Sequence, residues 1–302
     1  MVLRCIAARQ AKLLSILRQE LSLSSGLIKR LKYDHAFRVN GVPVYTNYLV
    51  CPGDEVTVTL QDAVPEYPAE DGPISILYED DAILVVDKPA GLIIHPTPAR
   101  ITGTLANRVI GYYRRTGQLC AFHPVTRLDR DTFGVVLLAK NAHIHARLCA
   151  AMQQGAIHKT YRALVCGGPD SDCGIIDAPI IRPDPMRMIR AIGAGGQAAV
   201  TEYRVLERRP DCTLLQLHPK TGRTHQLRLH CLYQGFPILG DPQYYTKASA
   251  ALSAALGLSS QLLCACALTF PHPLTGEICT LQSAQADLLS NIGRKNTKNS
   301  SF

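Results

Sequence analysis

The 302-residue chain has no tryptophan and only four methionines, so aromatic contacts fall to 12 tyrosines and six phenylalanines. No uninterrupted apolar run is long enough to cross a bilayer, which argues against a membrane-embedded segment. The first residues, Met1 to Arg9, faintly resemble a secretion signal. Arg9, Lys12 and Arg18 soon break the pattern, so no cleaved signal is expected. There is no C-x-x-C pair among the 11 cysteines, and Cys264 and Cys266 lie too close for an ordinary bridge. Their number is odd, and several, such as Cys149 and Cys231, sit inside apolar patterns. They read as small buried hydrophobes in a reducing, cytoplasmic compartment. A P-loop and the G-x-G-x-x-G dinucleotide fingerprint are both missing. Acidic residues are in deficit, 24 against 32 basic, and the formal charge of +8 favours an acidic partner, of which nucleic acid is the usual one. Hydrophobic residues at 47% and charged residues at 19% describe a globular chain.

Residues 1–62 form one expected unit. Leu13, Leu14, Ile16, Leu17 and Leu21 recur at helical spacing, and Ser24-Ser25 can cap a second helix, Gly26 to Lys32, bearing Lys29, Arg30 and Lys32. Asn40-Gly41 between alternating apolar residues signals a hairpin, and Pro52-Gly53-Asp54 turns the chain into a strand from Glu55 to Leu60. A basic helix face beside a short ribbon is a phosphate-contacting surface. Residues 63–72, with Pro65, Pro68 and several acids, read as a linker. Residues 73–290 alternate strands (Ala82 to Val86, Val135 to Leu138, Thr160 to Val165, Ala198 to Glu207, Thr213 to Leu217) with helices (Gly103 to Arg114, Ala142 to Gln154, Leu227 to Tyr233). This predicts an α+β domain on a mixed or antiparallel sheet. The tail, 291–302, is rich in Asn, Ser and Lys and is expected to be frayed.

The most informative stretch is Thr126-Arg127-Leu128-Asp129-Arg130-Asp131-Thr132-Phe133-Gly134, which runs into the apolar Val135 to Ala139. A carboxylate between two arginines at the mouth of a buried strand is either a surface ion pair or a reactive group held ionised, and the run alone leaves both open.

This run resembles the R-L-D-x-x-T-S-G motif of the RluA-type pseudouridine synthases. Further matches follow in that family's order: Asp87-Lys88-Pro89-Ala90-Gly91-Leu92 with His95-Pro96, then Lys159-Thr160-Tyr161-Arg162-Ala163, then Thr221-Gly222-Arg223-Thr224-His225-Gln226-Leu227-Arg228-Leu229-His230. Ile238-Leu239-Gly240-Asp241-Pro242 and His272-Pro273-Leu274-Thr275-Gly276 complete the set. Residues 10 to 60 are similar to the small RNA-binding domain of the S-four type. The resemblance implies an isomerase that converts uridine in ribosomal or transfer RNA to pseudouridine with no cofactor and no metal. Asp129 would be the catalytic carboxylate, Arg223 its ion-pair partner with Arg228 as runner-up, and Tyr161 the platform against which the target base stacks. Arg127, Arg130 and Arg228 would join Lys29, Arg30 and Lys32 in contacting RNA, and Arg130 could fill the space that a flipped base leaves. Lys88 would support the site. His95, His225 and His230 lack metal-ligand spacing and read as structural or RNA-contacting. A monomer would suffice.

Three positions leave the family pattern: Thr126 where His is frequent, Phe133 in place of Ser before the glycine, and Cys264 in place of a frequent His. Phe133, beside the Asp129 loop, keeps open a catalytically weak or inactive RNA-binding or ribosome-assembly protein on the same fold. A glycoside hydrolase pairing Asp129 with Asp131 is a more distant alternative.

Overall fold

The computed structural model describes residues 1–60, 67–184, 186 and 188–292. The first unit contains β1 (Val2–Ile6), β2 (Ala11–Lys12), α1 (Leu13–Gln19), α2 (Ser25–Tyr33), β3 (Phe37–Val39), β4 (Val42–Pro43), β5 (Leu49–Val50) and β6 (Glu55–Thr59). The expected caps and turns form. Ser24 Oγ accepts the Leu27 N–H at the start of α2. Asn40 and Gly41 both take positive φ, 49° and 79°, as a primed hairpin turn requires. The sheet order is β1-β6-β3-β4, and the unit has its own core around Leu13, Ile16, Leu17, Ile28, Phe37 and Val56. One element was not expected: Val2–Ile6, which read as the start of a faint signal, is a strand paired antiparallel with β6.

The second unit runs β7 (Ser75–Glu79), β8 (Ile83–Lys88), α3 (Leu105–Arg115), β9 (His123–Pro124), β10 (Phe133–Ala139), α4 (Ala142–Gln153), β11 (His158–Cys166), β12 (Cys173–Asp177), β13 (Ile180–Ile181) and β14 (Ala191–Ile192). It continues with β15 (Val200–Arg208), β16 (Cys212–Pro219), α5 (Gln226–Tyr233), α6 (Lys247–Ala255), β17 (Leu263–Pro271), β18 (Ile278–Gln282) and α7 (Leu288–Asn291). The large sheet has the order β12-β15-β16-β11-β17-β10-β8-β7, with β18 beside β17 and β9 beside β10. It is mixed, as expected: β10 and β17 pair in parallel, and the neighbouring strands pair antiparallel.

β8 and β10 are buried along their whole length because helices cover both faces of the sheet. Val135 and Leu137 point to α4, where Ile144 and Leu148 meet them. Val136 and Leu138 point the other way, to Leu105, Val109 and Ile110 of α3. Each such aliphatic side chain, fully buried, contributes on the order of 1.5–3 kcal/mol. The α3 face also carries α5, through Leu227 and Cys231 packed on Tyr161, Ala163 and Val165 of β11. The α4 face carries instead a cluster of Phe133, Leu164, Cys264 and Cys266.

The described part of the expected linker is not free chain. Asn107 of α3 donates to the Pro68 carbonyl and accepts the Glu70 N–H, and Arg115 pairs with Asp71. Residues 67–72 are therefore strapped over α3. A Cβ on Gly111 would lie 2.0 Å from the Glu70 carbonyl oxygen, so only glycine admits this close crossing. Residues 61–66 and the expected tail beyond Ile292 lie outside the described residues.

Candidate active site

Asp129 lies in the loop between β9 and β10, on the α3 and α5 face of the sheet. Its neighbour Leu128 packs into the clusters of both helices. Several local features fix the loop. The Thr132 N–H closes a turn on the Asp129 carbonyl (3.2 Å), and Gln261 Nε2 holds Thr132 Oγ1 at 2.8 Å. Thr126 Oγ1 accepts the Leu137 N–H at 2.9 Å. Gly134 has a φ of 114°, and a Cβ there would sit 2.2 Å from the Ala265 carbonyl oxygen. The motif's glycine is thus required where β10 presses on β17.

Lys88, fully buried, holds the loop from below. Its Nζ donates to the carbonyls of Pro89 (2.9 Å), Leu92 (2.8 Å) and Arg130 (2.9 Å). Burial pulls its pKa down to about 8, against the opposing charges of Asp131 and Asp129.

The guanidinium that reaches Asp129 belongs to Arg228, not to Arg223. Arg228 Nη1 donates to Asp129 Oδ2 at 3.1 Å. Its Nε and Nη2 form a fork on Asp241, at 2.6 and 2.8 Å, and its Cζ lies 4.8 Å from the centre of the Tyr244 ring. Burial works against the cation, but the hydrogen bonds and charge of Asp241, with Asp129 adding to them, hold its pKa above the ordinary arginine value. Arg223 lies in the turn before α5, exposed, and its Nε donates to the Ala198 carbonyl at 3.1 Å. The reason is helical phase. Arg228 sits in the first turn of α5, whose inner face looks at Asp129, whereas Arg223 precedes the helix altogether.

Asp129 keeps 29% side-chain exposure. Among the described residues, Oδ1 has no hydrogen-bond partner. Tyr161, on β11, is nearly buried on the same sheet face. Burial, with Asp129's charge next, raises its hydroxyl pKa, so it stays protonated. Arg130 folds back on Asp131, with Nη2–Oδ2 at 2.8 Å, and its side chain is 59% exposed. Asp131 is thereby engaged rather than placed opposite Asp129 as a second free acid. Arg127 is exposed and near His95 and Lys159; burial lowers the pKa of each, and the Arg127 charge adds to the effect.

Lys29, Arg30 and Lys32 are not brought to Asp129. They are exposed on α2, and Arg30 lines a cleft of about 410 Å³ with Arg147 and His143 of α4, on the opposite face of the large sheet. His230 is structural: it bonds Thr201 Oγ1 (2.9 Å) and the Ala178 carbonyl (3.0 Å). His95 packs edge-on against Phe122. Sequence reasoning missed Asp241, Gln243 and Tyr244, the anchor of Arg228. Asp241 stood in a matched motif, but a Gly-Asp-Pro triplet reads as a turn. Among the described residues, no group of three His, Cys, Asp or Glu could hold a metal ion.

One carboxylate is bound at one oxygen by a buried arginine and, among the described residues, is without a partner at the other, near a tyrosine, an arrangement able to supply a single acid–base or nucleophilic group. The profile of the RNA pseudouridylate synthase family matches residues 82–233. The chain is 38% identical over 266 residues to the RNA pseudouridine synthase YlyB of Bacillus subtilis, covering 85% of this chain and 86% of that protein. It is 37% identical over 251 residues to ribosomal large subunit pseudouridine synthase D of Pseudomonas aeruginosa, covering 80% and 78%. The solved structure of human RNA pseudouridylate synthase domain containing 1 superposes with a TM-score of 0.58 at 25% identity, over 72% of this chain and 85% of that one. The chain therefore belongs to the RNA pseudouridine synthases, isomerases that turn uridine in RNA into pseudouridine.

Proposed function

We propose that this enzyme modifies uridines of large-subunit ribosomal RNA, with Asp129 as the reacting carboxylate, Arg228 as the cation that holds its Oδ2 and Tyr161 as the platform for the base. The observation that carries the reading is the asymmetry at Asp129: Oδ2 is bound by Arg228 at 3.1 Å, while among the described residues Oδ1 has no hydrogen-bond partner and the group is part-exposed. The ribosomal substrate is drawn from relatives named for the large subunit.

The chemistry requires the bond from ribose C1′ to uracil N1 to break, the base to turn, and C1′ to join C5, with the C5 proton leaving. A carboxylate at this position has three routes: attack on C1′, attack on the uracil ring, or removal of the 2′ proton. Each needs an ionised oxygen facing the nucleotide, and Oδ1 is that oxygen. The protonated Tyr161 offers a flat ring for stacking and a hydroxyl near the reacting atoms. The N-terminal unit supplies RNA affinity through Lys29, Arg30 and Lys32, placed behind the sheet so that the RNA must extend round the domain to use both surfaces. The unit and its boundary at 62 are part of this proposal, as are the cytoplasmic location and the monomer.

The test uses cells lacking the gene. Pseudouridine is mapped by carbodiimide modification of their RNA before and after incubation with wild-type protein and Asp129→Asn. New product in large-subunit ribosomal RNA with the wild type alone is expected. Equal product with both proteins would remove Asp129 from its role, and product only in transfer RNA would move the substrate.

A further inference from the structure

We propose that His225 is a second positioning residue for Asp129: turned by the Tyr244 hydroxyl, its imidazole presents an Nε2–H to the Oδ2 that Arg228 holds, so that Oδ1 is the oxygen left to react. The inference rests on the reading of Asp129 as the reacting carboxylate.

His225 is the N-cap of α5, yet its side chain makes no capping hydrogen bond. Its φ is 58°, a left-handed conformation that a residue with a Cβ adopts only at a cost. Ser, Thr, Asp or Asn would begin the helix better. The strain has a different outcome, which is to aim the ring. Nδ1 lies 2.8 Å from the Tyr244 hydroxyl, the two rings meet edge to face, and Nε2 lies 3.9 Å from Asp129 Oδ2.

The tautomer follows from Tyr244. Its oxygen already accepts the Arg190 N–H at 2.9 Å, and burial leads the causes that raise its pKa, so the hydroxyl keeps its proton. The acceptor that faces that proton is His225 Nδ1, which leaves the ring's own hydrogen on Nε2, toward Asp129. Burial, helped by Arg228 and Arg190 and opposed by Asp129 and Asp241, lowers the His225 pKa. The ring is therefore a neutral donor, which steers the carboxylate without adding a second full cation. At 3.9 Å the contact is not yet a hydrogen bond. A shift of less than 1 Å on substrate binding closes it, in keeping with the looser contacts of unliganded sites. Tyr244 links both holders of Oδ2, since it stacks on Arg228 while orienting His225.

The amides of Gln and Asn separate this role from a structural one. A Gln side-chain nitrogen reaches the place of Nε2. An Asn nitrogen reaches only that of Nδ1, but Asn tolerates the left-handed backbone and can still bond Tyr244. RNA from a deletion strain, labelled with [5-³H]uridine, releases tritium to water as pseudouridine forms. With His225→Gln, kcat should stay within about fivefold of wild type. With His225→Asn, kcat should fall roughly 100-fold with KM within about twofold, the scale expected when a reacting group is misplaced by about 1 Å. Thermal midpoints of both variants report any folding defect. The proposal is overturned if Asn is as active as Gln or better, if both variants lose equally, or if the loss lies in KM. Asp129→Asn runs alongside, and activity retained there would refute the parent reading whatever His225 does.

Discussion

Replacing Arg228 by Met should damage this protein far more than any change at Arg223, and by two separable amounts. Asp241 has no exposed side-chain surface, and two of its hydrogen bonds come from Arg228. Taking away the cation leaves a buried carboxylate held, among the described residues, only by the backbone N–H groups of Gln243 and Tyr244. Breaking a buried pair in this way costs about 3–5 kcal/mol. Asp129 is part-exposed, so it loses less stability but more function: Oδ2 is released and the carboxylate can rotate. Removal of one such preorganised donor typically lowers rate by roughly 100-fold or more. Arg223→Ala removes an exposed bond to a carbonyl and should change stability by no more than about 0.5 kcal/mol. Urea unfolding and tritium release read the two quantities. The double variant Arg228→Met with Asp241→Asn removes the stranded charge, so it should recover most of the stability while the rate stays low. The reasoning fails if Arg228→Met stays within about threefold of wild-type activity, or if the double variant regains both stability and rate.

Two further substitutions probe the frame. Gly134→Ala places a methyl 2.2 Å from the Ala265 carbonyl at a φ of 114° and should cost about 2 kcal/mol or more in urea unfolding; a loss under about 1 kcal/mol would show that β10 and β17 can separate there. Lys88 titrates near pH 8 in the folded protein, below the free lysine value of about 10.4. The unfolded chain holds the extra proton between these values, so this group makes stability rise as pH climbs from 8 toward 10.5, its burial cost being fully present below 8. Lys88→Met lacks that contribution, so the difference between the two proteins' unfolding midpoints should change with pH across pH 7 to 10.5, and a flat difference would refute it.

The parts of the molecule legible in its sequence are those where local chemistry and final structure agree. Ser24 caps a helix, Asn40-Gly41 makes its hairpin, and the apolar run after Asp129 is a strand buried on both sides. β1 and β17 were not legible, because each is defined by a distant partner: β1 by β6, and β17 by a parallel neighbour more than a hundred residues earlier. The choice between Arg223 and Arg228 failed for a different reason. Both lie in one motif, and the motif gives order but not direction. The helix supplies direction, since His225 and Arg228 are three residues apart, share a face and both meet Asp129 Oδ2, whereas Arg223 stands outside the helix. That spacing becomes readable when α5 begins at Gln226, with His225 as its N-cap, rather than at Leu227.

The departures from the family pattern can be argued the same way. Phe133 and Cys264 are opposite one another in the parallel pairing of β10 with β17, and both are buried in one cluster with Leu164, Leu239 and Leu262. Alternation along β10 sends Phe133 to the same side as Val135 and Leu137, away from Tyr161 and Asp129. A large residue on one strand thus meets a small one on the other, behind the sheet, so the two departures compensate in volume and leave the reacting face unchanged. Thr126 bonds the backbone of β10 and points into the frame. The loop of Asp129 is held separately, by Lys88 on the Arg130 carbonyl, Gln261 on Thr132, Gly134 against Ala265, and Arg228 on Oδ2. Phe133, Cys264 and Thr126 therefore act on the sheet and its frame, while Lys88, Gln261, Gly134 and Arg228 act on the Asp129 loop.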